Sequence, residues 1–343
     1  MYCLELGGND DAFAAAEAVV ATEGADVSVV EPGLATARAL DQARVRRLAY
    51  THRASRIIAK SDASVDDATV ALNAADLDIP DEQDDGTPTT VAVRARDVRK
   101  TTGVDTQAAE RALGSVLFER DFAIDLDDPD YELRACFSDD TCILGWLVAE
   151  SIRDFGDRKP TDRPFFQPGS MDPLLARALV NLARVDPGAP GSPGDRLLDP
   201  MCGTGGVLIE AGLVGAIPVG TDAQPKMVRG THKNLDHFLG ADEPGFHVAR
   251  ADATRHPLRA DSVAGVVFDA PYGRQSKIET HRLEDLVEGA LSEARRVTTD
   301  AGRAVVVADR DWRDVAEAAG WAVEDRFVRR VHRSLDRHVL VLA

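Results

Sequence analysis

The chain has 343 residues, 44% of them apolar, and a formal net charge of −18, so it can build two or three domains with ordinary packed cores. Regular Val, Leu and Ala patterning excludes a disordered acidic polymer, and the absence of a signal peptide or of an apolar run of membrane-spanning length gives the expectation of a soluble cytoplasmic protein. Lysine occurs only at positions 60, 100, 159, 226, 233 and 277, so 34 of the 40 basic residues are Arg, and this balance points to a halophile whose carboxylate surface holds water while salt blunts self-repulsion.

Residues 1 to 52 read as strand, helix, strand, helix, strand: Tyr2 to Leu6, an alanine-rich helix at 11 to 22, Asp26 to Val30, a second helix near 36 to 46, and a strand to follow. Between 50 and 150, Thr89-Val91-Val93 alternates as a half-buried strand, Thr106 to Glu119 has helical spacing at Ala109, Leu113, Val116 and Leu117, and 131 to 137 with 141 to 149 forms a hairpin. Cys136 and Cys142 flank the turn of that hairpin and could face each other, although with Cys3 and Cys202 they read as free buried thiols, without zinc-ligand spacing. This front half is α+β and carries no acid-tipped glycine loop, as expected of a binding region. Asp157 to Pro164, polar and proline-bearing, is expected to be an exposed connector and marks the domain boundary.

A helix at 172 to 184 and a proline and glycine loop at 187 to 194 lead into a regular alternation. Strands are predicted at 196–199, 217–221, 246–250, 263–268 and 303–308, with helices near 205–213, 225–238, 281–296 and 311–319. The last two strands, Trp321 to Val331 and His338 to Leu342, have no room for a helix between them and must be antiparallel.

Two stretches about 70 residues apart carry the chemistry: Leu197 to Gly206, and Val266 to Gly273. Each is an apolar run ending in an acid and a tight loop, the signature of a buried parallel strand delivering polar groups to the carboxyl edge of a sheet. Around Asp199, Gly203 and Gly205 let backbone pass close to a ligand at a helix N-terminus. The run lacks G-x-G-x-x-G spacing, and its leading acid suits a cationic, amino-bearing ligand better than a pyrophosphate; a plain Gly-rich turn is the alternative. Asp222 ends the second strand, where an acid accepts from both ribose hydroxyls. Asp252 ends the third and either accepts from an adenine amine or caps a helix. In Asp269-Ala270-Pro271-Tyr272 a carboxylate and a backbone carbonyl can take the two N–H groups of an exocyclic amine and aim its lone pair, while Pro271 fixes the loop and Tyr272 offers a face for an extruded base. A simple strand-end turn is the bland alternative. His232, His237, His281, His332 and His338 show no ligand spacing, and no metal is expected. Arg329, Arg330, Arg333 and Arg337 cluster at the terminal turn, either solvated or against an RNA backbone. Global acidity does not exclude an RNA partner, because at molar salt counterion release contributes little for any protein.

The run Arg163-Pro164-Phe165-Phe166-Gln167-Pro168-Gly169-Ser170-Met171, the Asp-Pro-x-Cys-Gly-Thr-Gly-Gly loop and the Asp-x-Pro-Tyr-Gly-Arg stretch resemble archaeal tRNA guanine-10 N2-methyltransferases, sharply over 160 to 275 and in architecture over 1 to 150. The resemblance implies an N-terminal ferredoxin-like domain at 1–52, a THUMP RNA-binding domain at 53–153, a linker at 154–165 and a class I methyltransferase domain at 166–343, α/β with a seven-stranded Rossmann-like sheet and an antiparallel terminal hairpin. It implies S-adenosylmethionine at Asp199, Gly203, Gly205, Asp222 and Asp252, and guanine at Asp269, Ala270, Pro271 and Tyr272. Phe165, Phe166, Pro168 and Ser170 would cover the cofactor's methionine end, or else plug a domain joint. Ala270 departs from the commoner Asp-Pro-Pro-Tyr at a position where only the backbone carbonyl is used. The implied protein is a cytoplasmic monomer acting on tRNA, without metal or membrane, and giving N2-methyl- or N2,N2-dimethylguanosine. The rivals are an adenine-N6 DNA methyltransferase and a non-catalytic RNA-binding protein with a relic cofactor domain.

Overall fold

The computed structural model describes all residues except 23, 25, 78–87, 189–193, 241–244, 272–282 and 333–334. The chain divides into two compact units, Met1–Ile152 and Arg153–Ala343. Among the described residues no helix is long and apolar enough to cross a membrane.

The first unit contains β1 (Tyr2–Leu6), α1 (Asp11–Ala18), β2 (Val27–Glu31), β3 (Leu34–Ala37), α2 (Gln42–Val45), β4 (Thr51–Asp62), α3 (Val65–Ala74), β5 (Thr90–Asp97), α4 (Thr106–Glu119), β6 (Ala123–Ile124), β7 (Tyr131–Ser138) and β8 (Thr141–Glu150). They build one eight-stranded sheet in the order β2-β3-β1-β4-β8-β7-β5-β6. The helix expected near 36–46 is instead β3 followed by the single turn of α2. Gly33, at φ +77°, turns β2 back onto β3, and β3 pairs with β1 on its other edge, so Leu34, Ala35 and Ala37 are buried as strand residues. The break expected at 52/53 falls at the head of β4, which pairs with β1 on one side and β8 on the other, so one sheet runs through both expected pieces. Phe137 is the residue opposite Cys142, and Cys136 is opposite Ile143. Adjacent strand residues point to opposite faces. Cys136 and Cys142 therefore do not meet across the hairpin, and all four cysteines are free.

Buried charge ties this sheet together. Glu5 of β1, 2% exposed, accepts from Arg134 Nε of β7 at 2.9 Å and from Arg96 Nη1 of β5 at 3.0 Å. Burial pushes the Glu5 carboxyl up, but the guanidiniums outweigh it and hold the group below the usual carboxylate range.

The second unit contains α5 (Pro173–Leu182), β9 (Arg196–Asp199), α6 (Gly206–Leu213), β10 (Ile217–Asp222), α7 (Pro225–Leu239), β11 (His247–Arg250), β12 (Val263–Asp269), α8 (Leu283–Val297), β13 (Thr298–Ala308), α9 (Arg313–Ala318), β14 (Val323–His332) and β15 (Leu335–Leu342). Its sheet has seven strands in the order β11-β10-β9-β12-β13-β15-β14. The first five are parallel, and β15 runs antiparallel to both β13 and β14, as the short terminal connection requires. Val266, Phe268, Val306 and Leu340 of the sheet and Leu291 of α8 belong to one core.

The segment expected as an exposed linker at 154–165 is built into this unit. It forms two 3-10 turns, Asp154–Arg158 and Pro160–Asp162, and its Arg158 and Arg163 are 4% and 5% exposed. Arg158 is held there by Glu210 of α6, fully buried, which accepts from Arg158 Nε at 2.8 Å and Arg177 Nη2 at 2.7 Å. Arg153, Arg158 and Arg177 all lie within 5.1–5.7 Å of the Phe155 ring centre. The Arg158 charge, which reads as solvent-facing, is thus neutralised by an acid about 50 residues further along the chain, while Arg163 Nε and Nη2 donate to the Arg158 and Met171 carbonyls at 3.1 and 3.2 Å. Removing one partner of such a buried network strands the others in a low-dielectric interior. Glu210→Leu is expected to lower the unfolding free energy by about 3–5 kcal/mol, nearly independent of added salt because the group is shielded from ions. Denaturant titration checks this, and a loss within about 0.5 kcal/mol, the range of surface substitutions, would contradict it.

Candidate active site

The site begins as a matter of strand register. Asp199, the last residue of β9, is level with Gly220 of β10, and Leu198 is level with Val266 of β12. Asp222 and Asp269 therefore each stand two residues beyond Asp199, roughly 7 Å further out at ~3.3 Å per residue, with roughly 10 Å between their strands. The result is a notch above the short central strand, walled by two acids. It lies where the strand order switches from β9 to β12, and in open parallel sheets ligands bind outside the carboxyl ends at that point.

Five hydrogen bonds shape the loop that follows β9. Met201 N donates to Asp199 Oδ1 at 3.0 Å, Cys202 N to the Thr221 carbonyl at 2.9 Å, and Gly203 N to Asp222 Oδ2 at 3.0 Å. Gly205 N donates to the Cys202 carbonyl at 2.7 Å, and Thr231 Oγ1 of α7 to the Gly203 carbonyl at 2.8 Å. Gly205 adopts φ +78° as it caps α6, and a Cβ there would come within 2.8 Å of Thr231. A Cβ on Gly203 would meet only the Met201 carbonyl, at 4.0 Å, so this backbone faces open space. The loop thus leaves a glycine-lined hollow before the N-terminus of α6. Asp222 is oriented by two backbone donors, Gly203 N and, at 2.8 Å, Gln224 N.

Three carboxylates now share one notch. Asp199 is 3% exposed, and burial first, then the charges of Asp222 and Asp269, push its carboxyl well above the usual range. A cationic ligand relieves that repulsion and an anionic one aggravates it. The donor set therefore fits a group with an ammonium and a sulfonium, and does not fit a pyrophosphate.

Asn234 of α7, fully buried, clamps the Phe-Pro segment over this loop. Its Oδ1 accepts from Phe165 N at 2.8 Å, and its Nδ2 donates to the Phe165 carbonyl at 2.8 Å and the Thr204 carbonyl at 2.9 Å. Thr204 Oγ1 donates to Ser170 Oγ at 3.0 Å, and the Phe165 ring fills the place of a side chain at Gly230. Phe166 is 40% exposed. The structure thus brings Phe165 and Ser170 to the cofactor-type loop, through a residue that reads in the sequence as one more polar position on an amphipathic helix.

On the other wall, Ala270 is buried and donates its N–H to the Val307 carbonyl at 2.8 Å, tying the strand-end loop to β13. Asp269 and Pro271 border it, while Tyr272 lies outside the described residues. Asp252 is exposed just beyond β11, and its Oδ1 accepts Thr254 N at 2.9 Å and Thr254 Oγ1 at 2.8 Å; these bonds close a turn that leads into no helix, so the helix cap expected as its alternative is not formed. Sequence reasoning also passed over His256, 6% exposed, beside Thr221.

Residues 160–338 match the family described as RMKL-like, methyltransferase domain. A tRNA (guanine(10)-N2)-dimethyltransferase of Methanothermobacter thermautotrophicus is 35% identical over 335 residues, 94% of this chain and 93% of that protein. The chain belongs to the archaeal tRNA (guanine(10)-N2)-dimethyltransferase family. Its relative from Pyrococcus abyssi is 30% identical across 74% of each chain. The crystal structure of TrmN from Thermus thermophilus matches 99% of this chain and 98% of its own with a TM-score of 0.50 at 22% identity, which bears on the fold, a class I methyltransferase sheet.

The raised Asp199 carboxyl has a stability consequence. A carboxyl whose folded pKa exceeds its unfolded value near 3.8 favours folding only while protonated, and that contribution fades as pH rises through the folded value. At pH 7 the ionised form is a burden on the fold. Asp199→Asn is expected to raise the melting temperature at pH 7, and to do so less at pH 4, while weakening binding of a cationic ligand. Thermal melts at the two pH values check it, and a lowered melting temperature at pH 7 would contradict it.

Proposed function

We propose that this chain transfers a methyl group from S-adenosylmethionine to the exocyclic N2 amine of a guanosine in tRNA, at the position named for its relatives, and that it works in the cytoplasm as a monomer. The observation that carries this reading is the acid-walled notch at the strand switch, with Asp199 and Asp222 beside a glycine cradle and Asp269 facing them. Asp199, Gly203, Gly205, Asp222 and Asp252 would hold the cofactor, with Phe166 and Ser170 over its amino-acid end. When bound, S-adenosylmethionine supplies a methyl group activated by a sulfonium.

The rest is done by this chain's own residues. The guanine amine is a weak nucleophile because its lone pair is delocalised into the ring. Asp269 accepts one of its N–H groups and the Ala270 carbonyl the other, which favours a pyramidal nitrogen with its lone pair directed into the notch. Pro271 restricts the loop, and Tyr272 stacks on the extruded base. The new bond from nitrogen to the methyl carbon would replace that carbon's bond to sulfur, whose electron pair would stay behind on a neutral thioether, and Asp269 is the acceptor for the proton the nitrogen sheds. The process is one of orientation and preorganised charge, and it needs no metal. A second methylation follows if the monomethylated amine turns its remaining N–H toward Asp269. The front unit, with its mixed sheet and paired arginines, would bind tRNA by shape.

Mass spectrometry of nucleosides from tRNA incubated at high salt with the chain and isotope-labelled cofactor tests the assignment. The expected product is N2-methylated guanosine, and duplex DNA treated in parallel stays unmethylated. Asp269→Asn is expected to lower kcat about 10²–10³-fold, the range for removing one preorganised polar contact to a reacting centre. Calorimetry on the same variant should give cofactor affinity close to that of the parent chain. Parental turnover by Asp269→Asn would remove that residue from the chemistry.

A further inference from the structure

The cofactor-type loop is held by more than its own glycines. Thr221, 2% exposed near the end of β10, touches it twice: its carbonyl accepts Cys202 N at 2.9 Å, and its Oγ1 donates to the Pro200 carbonyl at 3.2 Å. A hydroxyl has a single proton, so this second contact exists only if the other neighbour of Thr221 Oγ1 donates to it. That neighbour is His256 Nε2, at 3.0 Å. The other ring nitrogen, Nδ1, accepts the N–H of Leu258 at 3.3 Å, so it carries no proton of its own. Together these contacts allow one arrangement: a neutral ring protonated on Nε2, which donates to Thr221, which in turn donates to Pro200.

We propose that His256 is a positioning residue for the cofactor loop, acting through Thr221 and only as the neutral Nε2–H tautomer. The ring is held in register from both sides of its own backbone. His256 N donates to Glu293 Oε2 at 2.7 Å, and Arg296 Nη2 donates to the His256 carbonyl at 3.0 Å, both from α8. These are the charges that bear on the imidazole from the helix packed against it: Glu293 favours its protonated form and Arg296 opposes it. The loop after β9 places Pro200 in the chain with Asp199 next to it, β10 offers the neutral Thr221, and the histidine's own turn carries Asp252 and Arg255. Burial is the largest influence and holds the imidazole below its ordinary 6.5, so the ring is neutral at pH 7. Protonation would set an N–H on Nδ1 against the N–H of Leu258. The ring must then leave that contact, and the Thr221 hydroxyl loses the donor that directs it at Pro200. This role rests on the cofactor reading of the loop, and the test separates the two.

Two measurements on the full chain decide it. ¹⁵N spectra of the histidine ring nitrogens, recorded without ligand, should show one Nε2–H tautomer at neutral pH. Calorimetric titration with S-adenosylmethionine between about pH 5 and 8 should show affinity falling as the pH drops through the His256 pKa. His256→Leu should bind about five- to tenfold more weakly at pH 7.5, the effect of one lost hydrogen bond, and His256→Gln, whose amide can donate from the Nε2 position, should recover most of that loss. The Gln variant should also lack the acidic fall of the parent. Asp199 titrates alike in both, so the difference between the two profiles is the readout. Thr221→Val should weaken binding to a similar extent, and adding His256→Leu to it should cost little more. An Nδ1–H tautomer, or an acidic fall that persists unchanged in His256→Gln, overturns the positioning role. Failure of the parent chain to bind S-adenosylmethionine at any pH overturns the cofactor reading instead, and the tautomer measurement stands independently of it.

Discussion

Three acids at the tips of adjacent parallel strands repel one another, and a folded chain tolerates that only with compensation. In the second unit two backbone donors orient Asp222, a third meets Asp199, and Asp199 is driven toward its protonated form. The repulsion cannot be avoided by rotating a strand, because parallel pairing in fixed register sends all three carboxylates to the same edge. The site therefore stores unfavourable charge that a cationic ligand cancels. Functional sites commonly carry local destabilisation of this kind, held in place by the surrounding fold.

That fold is braced by charge of a different sort. Glu5 in one unit and Glu210 in the other are each enclosed by two arginines, in geometry good enough to offset the loss of water. Guanidinium suits this task better than ammonium because its planar fork meets both carboxylate oxygens. In a chain with only six lysines, arginine supplies both these interior pairs and many exposed ones, such as Arg310 with Glu284 and Arg330 with Asp336. Buried pairs are screened little by salt, so this bracing is compatible with the concentrated brine that the composition points to.

Much of this was legible in the residues. The span of α4, the front hairpin, the alternation after 195 and the antiparallel terminal pair all follow from local periodicity and connection length. The notch was legible too, since an apolar run ending in an acid marks a strand tip wherever it occurs. What escaped depends on contacts between distant positions. Thr36 and Ala37 read as the start of a helix because nothing local reveals that β1 and β2 flank them. Arg158 reads as solvated because its partner Glu210 lies far along the chain, and Arg163 because its partners are backbone carbonyls, which carry no sequence signal. Asn234 and His256 carry no spacing signal at all, since each matters only through the backbone groups that tertiary folding brings to it.

The ring of Phe165 seated on Gly230 has one more implication. A cover that hangs over a cleft by hydrogen bonds alone can slide, whereas one with an aromatic knob in a socket on α7 has a preferred seat. The socket is defined by an absent side chain, so its shape is written into the helix rather than into the cover. Changes in the Phe-Pro segment that keep an aromatic of similar size at 165 can therefore be absorbed without loss of alignment, while the helix opposite is barred from gaining even a methyl group. Sequence drift at this contact should be lopsided, with room for other aromatics at 165 and constancy in the dimple at 230 that receives them.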